Sequence, residues 1–392
     1  MKVLVANLGS TSFKYRLFDM ANELLLAKGG FERIGGKESP WFIEVGAVRE
    51  EGSLQAPDHA VAVRACLEHL SRHGCLKNTS DLGAIGFKAV HARGVTGAQR
   101  VTPAVLAAME AYSAVAPAHN PPYVAAMRLL AREFPAIPLV AAFETGFHQT
   151  IPPGNSLYAI PYEWAEKHGV RKWGFHGASH RFIAGRAAEL LDNPEARIIS
   201  CHLGGSNSLC AIRAGKSIAC TLGMSPQSGL PHNNRVGDFD VFALPVLLEA
   251  TGLSLGQLLD ELANRSGLEG LCGLRDMRDI EKAAHTGDTR AIAALDVFFH
   301  SIQMYLGGYI ALLGGLDGIF FTGGIGENSA LLREKVCGAL GWMGIELDLA
   351  ANTGAKGEVA IHKTGSRAQI WILPTNEEIV VARQASALLA GP

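Results

Sequence analysis

"LVANLGSTSFKYRLF" at residues 4–18 and "IISCHLGGSNSLCAI" at residues 198–212 follow one plan. Each is an apolar strand, a polar residue, Leu-Gly, a serine-rich turn and a second strand, so that Asn7-Leu8-Gly9 matches His202-Leu203-Gly204. A single hairpin of this kind is ordinary, because Gly and Ser are common turn residues. Two of the same design, roughly half a chain apart, point to a duplicated domain. In each half the hairpin comes early and mixed strands and helices follow, which predicts an α/β fold of two similar lobes.

The pattern around these hairpins fills in the lobes. Residues 1–7 and 12–19 form the first hairpin and the run from Glu23 continues it as a meander. Helical spacing marks 58–73, 103–113 and 121–134, while "LGAIGFKAV" and "IPLVAAFE" read as strands ending near His91 and Glu144. After the proline-rich stretch 151–161 the pattern restarts with a helix following His176 and a strand at "ARIISCHLG". A hairpin at Arg213-Ala214-Gly215, a long helical region over 288–313, strands at "DGIFFTGG" and "QIWILP" and a terminal helix from Glu377 complete it.

At 392 residues the chain has room for two cores, and 48% hydrophobic with 18% charged residues describes an ordered globular protein. The net charge is −2 and no Lys/Arg block stands out, so neither nucleic acid nor an anionic membrane is expected as a partner. Seven cysteines lie scattered without CxxC pairs, the usage of reduced thiols in a cytoplasmic protein. Met1 leads directly into a strand, with no signal-peptide pattern. The apolar run 304–324 is broken by Asp317 behind Gly314-Gly315, which predicts a core helix, turn and strand rather than a membrane span.

The two turns gather Ser10, Ser12 and Lys14 in the first, and His202, Gly204 and Ser206 in the second. Small residues with hydroxyls and open backbone N–H groups suit an anion, and two such turns facing each other suit a polyphosphate. A third glycine-rich segment, "FFTGGIGENS" at 320–329, stands between a strand and a helix, where a nucleotide would lie. Better-known motifs fail. Cys210 stands where a Walker A loop ending at Gly215-Lys216 needs its first glycine, and Ser329 replaces the third glycine of a dinucleotide fingerprint. His176 and His180 have the spacing of a zinc pair but lack the HExxH glutamate, so zinc is not expected.

Taken in order, "NLGSTSFK", "GFKAVHARG", "APAHNP", "FETGFHQTIP", "WGFHGASH", "CHLGGSNS", "SGLPHNNRVGDFD", "SGLEGLCGLRDMRDIE", "FFTGGIGENS" and "PTNEE" resemble the acetate kinase family along nearly the whole chain. That family consists of short-chain acyl kinases within the actin, sugar-kinase and heat-shock ATPase superfamily. The resemblance implies two duplicated ribonuclease H-like (actin-like ATPase) domains with a catalytic cleft between them. The first would span 1–150 and be completed by the helix 376–392, and the second, 151–375, would bind nucleotide and form a homodimer. It implies reversible transfer of the ATP γ-phosphoryl group to acetate or another short-chain carboxylate, with Mg²⁺ or Mn²⁺.

By the same resemblance His176 and Arg235 would contact the transferred phosphoryl oxygens, and Asn7 with Glu377 would hold the metal. His202, Gly204 and Ser206 would line the phosphate path, while Asp276, Arg278, Gly324, Ile325 and Asn328 would surround the adenosine. Phe175, Val90 and Pro226 would hold the acyl tail. The chain also departs from the family. Lys88 stands where the family has a carboxylate-gripping arginine, and a point charge is not a planar fork. Glu144 replaces an aspartate with catalytic standing. The second turn carries Ser206 for a glycine, with its asparagine displaced to Asn207. Ala118 replaces leucine beside the acyl tail, which would admit propionate or butyrate.

Three arrangements remain open at this level. Lys88 and Glu144 would form a compensated pair, or Arg93 would supply the missing guanidinium. A divergent nucleotide-binding homologue with little acyl kinase activity is the alternative to a carboxylate kinase. A sugar kinase is a third reading, against which "WGFHGASH" and "PTNEE" speak.

Overall fold

The computed structural model describes residues 1–116 and 119–391. They divide into two compact units, Met1–Gly146 with the C-terminal stretch from Asn376, and Phe147–Thr375.

In the first unit the strands β1 (Lys2–Leu8), β2 (Phe13–Asp19), β3 (Leu24–Phe31), β4 (Ser39–Val45), β5 (Val48–Leu54), β6 (Leu82–Ala89), β7 (Ala98–Arg100) and β8 (Leu139–Phe143) form one sheet in the order β5-β4-β3-β2-β1-β6-β8-β7. β1 is antiparallel to β2, with Asn7 opposite Lys14, and parallel to β6. Its run Val3-Leu4-Val5-Ala6 is buried throughout, as a central strand covered on both faces requires. Leu4, Ala6 and Leu8 join Ile85 and Phe87 in a core with Val63 of the helix His59–Arg72 and Met127 of the helix Asn120–Glu133. Side chains alternate along β6, so Gly86 faces the other way. There the terminal helix Glu377–Ala390 lies on the sheet, and a Cβ at Gly86 would stand 3.0 Å from Val381. The glycine admits the helix that carries Glu377.

The β4–β5 hairpin is not legible as a periodic pattern. β5 is a largely exposed edge strand with the residues Val-Arg-Glu-Glu-Gly-Ser-Leu, and its charges protect an open edge rather than mark a buried face.

The second unit repeats the central plan. β9 (Arg197–His202), β10 (Ser208–Arg213), β11 (Lys216–Cys220), β12 (Gly318–Thr322), β13 (Val359–Ala360) and β14 (Gln369–Ile372) run β11-β10-β9-β12-β14-β13. β9 is antiparallel to β10 and parallel to β12, as β1 is to β2 and β6, and β12 is parallel to β14 as β6 is to β8. The five strands β3-β2-β1-β6-β8 thus have their counterpart in β11-β10-β9-β12-β14, and the expected duplication is present as topology.

The helix Thr289–Leu313 ends at Gly314, with φ 68°, and the chain turns directly into β12. Among the described residues no helix is long and apolar enough to cross a membrane. The helices Ala243–Thr251, Leu255–Asn264, Gly267–Cys272 and Met277–His285 were not expected from the sequence. One local signal for them was present, the capping box of Ser254 and Gln257.

Arg333 is almost fully buried and ties two segments of this unit together. Its Nε donates to Asn352 Oδ1 at 2.7 Å and its Nη1 to the Gly326 carbonyl at 2.8 Å, so it braces the short helix Gly323–Asn328 from behind. Arg333→Met leaves these acceptors buried without a donor. It is expected to destabilise the protein by on the order of 3 kcal/mol, read from a shift of the urea midpoint.

Candidate active site

The turn between β9 and β10 is held by its own asparagine. Gly204 N donates to Asn207 Oδ1 at 2.9 Å, Asn207 Nδ2 donates to the Pro231 carbonyl at 2.8 Å, and Asn207 N donates to His232 Nδ1 at 2.8 Å. Asn207 is fully buried. Its place two residues along from the family pattern therefore makes it the pin of the loop. On the other side the Leu203 carbonyl accepts from the amides of Ile325 and Gly326. Gly323 has φ +80°, and a Cβ there would stand 2.6 Å from the Leu203 oxygen, so only glycine fits that crossing.

The next glycines are different. A Cβ on Gly324 would meet nothing within 4 Å, and on Gly204 nothing nearer than 3.8 Å. Both open onto a cavity of about 510 Å³, which Gly205, Asn233, Asp276, Arg278, Ile325 and Asn328 also line. The structure thus brings together in one cavity all five residues expected around adenosine, and Gly204 from the phosphate path. Asp276 caps the helix Met277–His285 and takes the Arg278 side chain, which holds its carboxyl down at about 2. Gly324→Leu should leave the fold intact and fill this space. ADP affinity by calorimetry is expected to fall at least about tenfold, the equivalent of 1.4 kcal/mol, with an unchanged melting profile.

His176 sits where an irregular loop gives way to helix. It caps the helix Gly177–Leu190 in a left-handed conformation, φ 55°, which a non-glycine residue adopts only at a cost. The turn ahead of it is wedged by His148. A Cβ at Gly174 would lie 2.5 Å from the His148 ring. His148 Nε2 donates to the Phe175 carbonyl at 2.8 Å, and its Nδ1 faces Ser217 Oγ at 2.8 Å. Phe175 itself is buried. His176 Nδ1 lies 2.8 Å from Ser208 Oγ, and the His176 and His202 rings are 4.2 Å apart.

Arg235 Nη1 donates to Ser206 Oγ at 3.2 Å and to the Pro226 carbonyl at 3.1 Å. Burial lowers the pKa of its guanidinium. Ser206, which stands in place of the family glycine, is thus a contact of Arg235. Asp238 accepts from Gly229 N at 2.8 Å and from the Tyr305 hydroxyl, tying the Arg235 loop to the long helix.

Three histidines here are neutral by burial: His148 is pushed down to about 4, His232 to about 3, and His180 well below its ordinary value. An unfolded imidazole titrates near 6.5, so below that pH the unfolded chain binds more protons than the folded one. Stability is therefore full near neutrality and is lost as pH falls from about 6.5 towards 4, by about 1.4 kcal/mol per unit for each histidine. Urea midpoints between pH 7 and 5 check this, and His232→Gln should flatten the slope.

In the first unit Gly9 N closes the β1–β2 turn on the Ser12 carbonyl at 2.9 Å. His59 Nε2 reaches the carbonyls of Gly9 at 3.0 Å and Ser12 at 3.3 Å, so the loop's acceptors are held against the start of a helix. Ser10 and Lys14 are exposed and Ser12 is half-buried. Asn7 Oδ1 accepts from the Tyr123 hydroxyl at 2.9 Å, and Tyr123 Oη takes Leu8 N at 3.3 Å.

Lys88 forms an ion pair with Glu377, Nζ to Oε2 2.6 Å. Burial would lower the lysine pKa, but Glu377 and then Glu144 outweigh it and raise it. The direct partner of Lys88 is thus Glu377, while Glu144, nearly buried at the end of β8, adds a second negative charge. Arg93 is exposed and its charge acts on Tyr112. Val90 follows β6 half-buried. Ala118 lies outside the described residues. Tyr123, which joins Asn7 to the Lys88 cluster, went unread because a tyrosine on the buried face of a helix looks like core.

The parts just described occur in the order of a known family. A family model described as the Acetokinase family matches residues 2–383. The chain belongs to the acetokinase family. An acetate kinase from Shouchella clausii is 42% identical over 391 residues, 99% of each chain. The crystal structure of Porphyromonas gingivalis acetate kinase superposes with a TM-score of 0.88 at 37% identity, covering 98% of each chain. A Francisella tularensis propionate kinase gives 0.89 at 32% identity over 98% of each chain. These acetokinase-family structures share the duplicated actin-like ATPase fold, which this chain therefore has.

Proposed function

We propose that this acetokinase-family chain transfers the γ-phosphoryl group of ATP to the carboxylate of acetate or another short-chain acid, reversibly and in line. The observation that supports it best is Lys88: a half-buried ammonium set between Glu377 and Glu144, beside Tyr123. An ammonium has three N–H donors, and Glu377 accepts from one of them, so a substrate carboxylate can accept from another. In the reaction a carboxylate oxygen of the acid attacks the γ-phosphorus, the bond to the ADP oxygen breaks, and the acyl phosphate forms.

His176 and Arg235 present N–H donors to the equatorial oxygens, where charge must be stabilised. Ser10, Ser12, Lys14, His202, Gly204 and Ser206 line the phosphates, and the cavity at Gly324 takes the adenosine with Asp276, Arg278, Ile325 and Asn328. Val90, Phe175 and Pro226 meet the acyl tail, and Glu144 holds Lys88 in its charged form. For the metal, Asn7 and Glu377 offer hard oxygen donors. Among the described residues no group of three His, Cys, Asp or Glu forms a cage. Two protein oxygens fit Mg²⁺, which keeps waters and phosphate oxygens as its other ligands and would neutralise phosphate charge when bound.

We further propose a homodimer formed through the second unit. Phe242 and Met304, 81% and 77% exposed, support an apolar face there. The free thiols support a cytoplasmic setting.

Purified protein with Mg-ATP and hydroxylamine is expected to yield hydroxamate from acetate, with propionate and butyrate as the comparison that ranks the acids. Failure with all three despite ADP binding would favour the divergent nucleotide-binding homologue. Arg235→Ala should lower kcat by about a hundredfold or more while changing ADP affinity little.

A further inference from the structure

His176 is the end of a line of side chains that runs into the interior of the second unit. Its Nδ1 lies 2.8 Å from Ser208 Oγ, the same oxygen lies 2.8 Å from His180 Nε2, and His180 Nδ1 lies 2.8 Å from Ser200 Oγ. Ser200, His180 and Ser208 are fully buried. Each hydroxyl has one hydrogen to give, and a neutral imidazole has one N–H and one bare nitrogen. Burial, with His148 and His202 nearby, keeps His180 neutral. The protons along the line can therefore be arranged in two senses.

In one sense Ser200 donates to His180 Nδ1, His180 Nε2–H donates to Ser208, and Ser208 donates to His176 Nδ1. Every buried hydrogen then has an acceptor. In the opposite sense His176 Nδ1–H donates to Ser208, Ser208 to His180 Nε2, and His180 Nδ1–H to Ser200. The Ser200 hydroxyl has His180 as its side-chain partner among the described residues, so its own hydrogen is then left in the interior without an acceptor. A buried donor without an acceptor is the costlier state, and this selects the first sense. In that sense a neutral His176 must carry its proton on Nε2.

We propose that Ser200, His180 and Ser208 are positioning residues that hold His176 in its Nε2–H tautomer, so that its outer nitrogen meets the transferred phosphoryl group as a donor. The opposite tautomer would turn a lone pair on an anionic oxygen. The proposal rests on the reading of His176 as a phosphoryl contact. His202, 4.2 Å away, also has a serine hydroxyl at its Nδ1, Ser179 Oγ at 2.8 Å.

Long-range ¹H–¹⁵N correlation spectra of the intact protein, labelled at histidine and assigned with His176→Asn, read the tautomer directly. The wild-type protein should show His176 protonated at Nε2, and Ser208→Ala should show a mixture of both forms. Kinetics should follow, with kcat of Ser208→Ala lower by about tenfold and KM for ATP nearly unchanged. His180→Gln, which keeps an N–H donor near the Nε2 position, should retain more activity than His180→Ala. A wild-type His176 protonated at Nδ1 would overturn the proposal whether or not any variant folds, and so would a pure Nε2–H form in Ser208→Ala. If instead His176→Asn keeps full turnover while the wild-type tautomer is as stated, the phosphoryl role of His176 fails and the relay stands.

Discussion

A half-buried lysine, paired with one carboxylate and under the charge of a second, ties the sheet of the first unit to its terminal helix. Lys88 closes the distance between β6 and the terminal helix, and its pair with Glu377 joins residues 289 positions apart. Without it, the negative charges of Glu377 and Glu144, both of which act on Tyr123, would lose the cation that offsets them in a place of low solvation. The same ammonium is what an acid substrate needs. One interaction therefore completes the unit and, in the proposed reaction, offers the cation for the acceptor. Where the family has an arginine, this chain holds a lysine by an ion pair with Glu377, with the charge of Glu144 acting on it as well.

The second unit solves a different problem with the same strand plan. In the proposed function its β9–β10 turn presents backbone to a phosphate chain without obstructing it. The first turn is closed through backbone and His59, and the second through the Asn207 side chain with His232 behind it. Gly323 lets the loop and helix cross, and Gly204 and Gly324 leave the space open. Buried serine and histidine side chains lie behind this surface, in the line from His176 through Ser208 and His180 to Ser200. The unit's acid sensitivity follows, because the neutral rings that hold the site must be protonated as it is lost.

Much of this could be read from residues alone, for physical reasons. The two hairpins show because alternating strands and small turn residues are local signals, and their likeness to each other carries the duplicated fold. Asp276, Arg278, Gly324, Ile325 and Asn328 were legible as a group, although four segments of chain supply the cavity they line. The Lys88–Glu377 pair was not legible, since nothing near Lys88 in sequence announces a partner on the terminal helix. Ser200 and Ser208 look like ordinary strand residues, and only the packing of His180 between them gives them a direction. Asn207 read as a displaced residue of the site and is instead the buried pin of its loop.

In the proposed reaction an oxygen of the acid, brought to Lys88, becomes the bridge to phosphorus. Acetate labelled with ¹⁸O in both positions, Mg-ATP and the enzyme, followed by ³¹P NMR, tests it directly. The account predicts an acyl phosphate whose phosphorus signal carries the isotope shift of a single ¹⁸O in the bridging position. An unshifted acyl phosphate signal, or ADP and inorganic phosphate with no acyl phosphate, would contradict it.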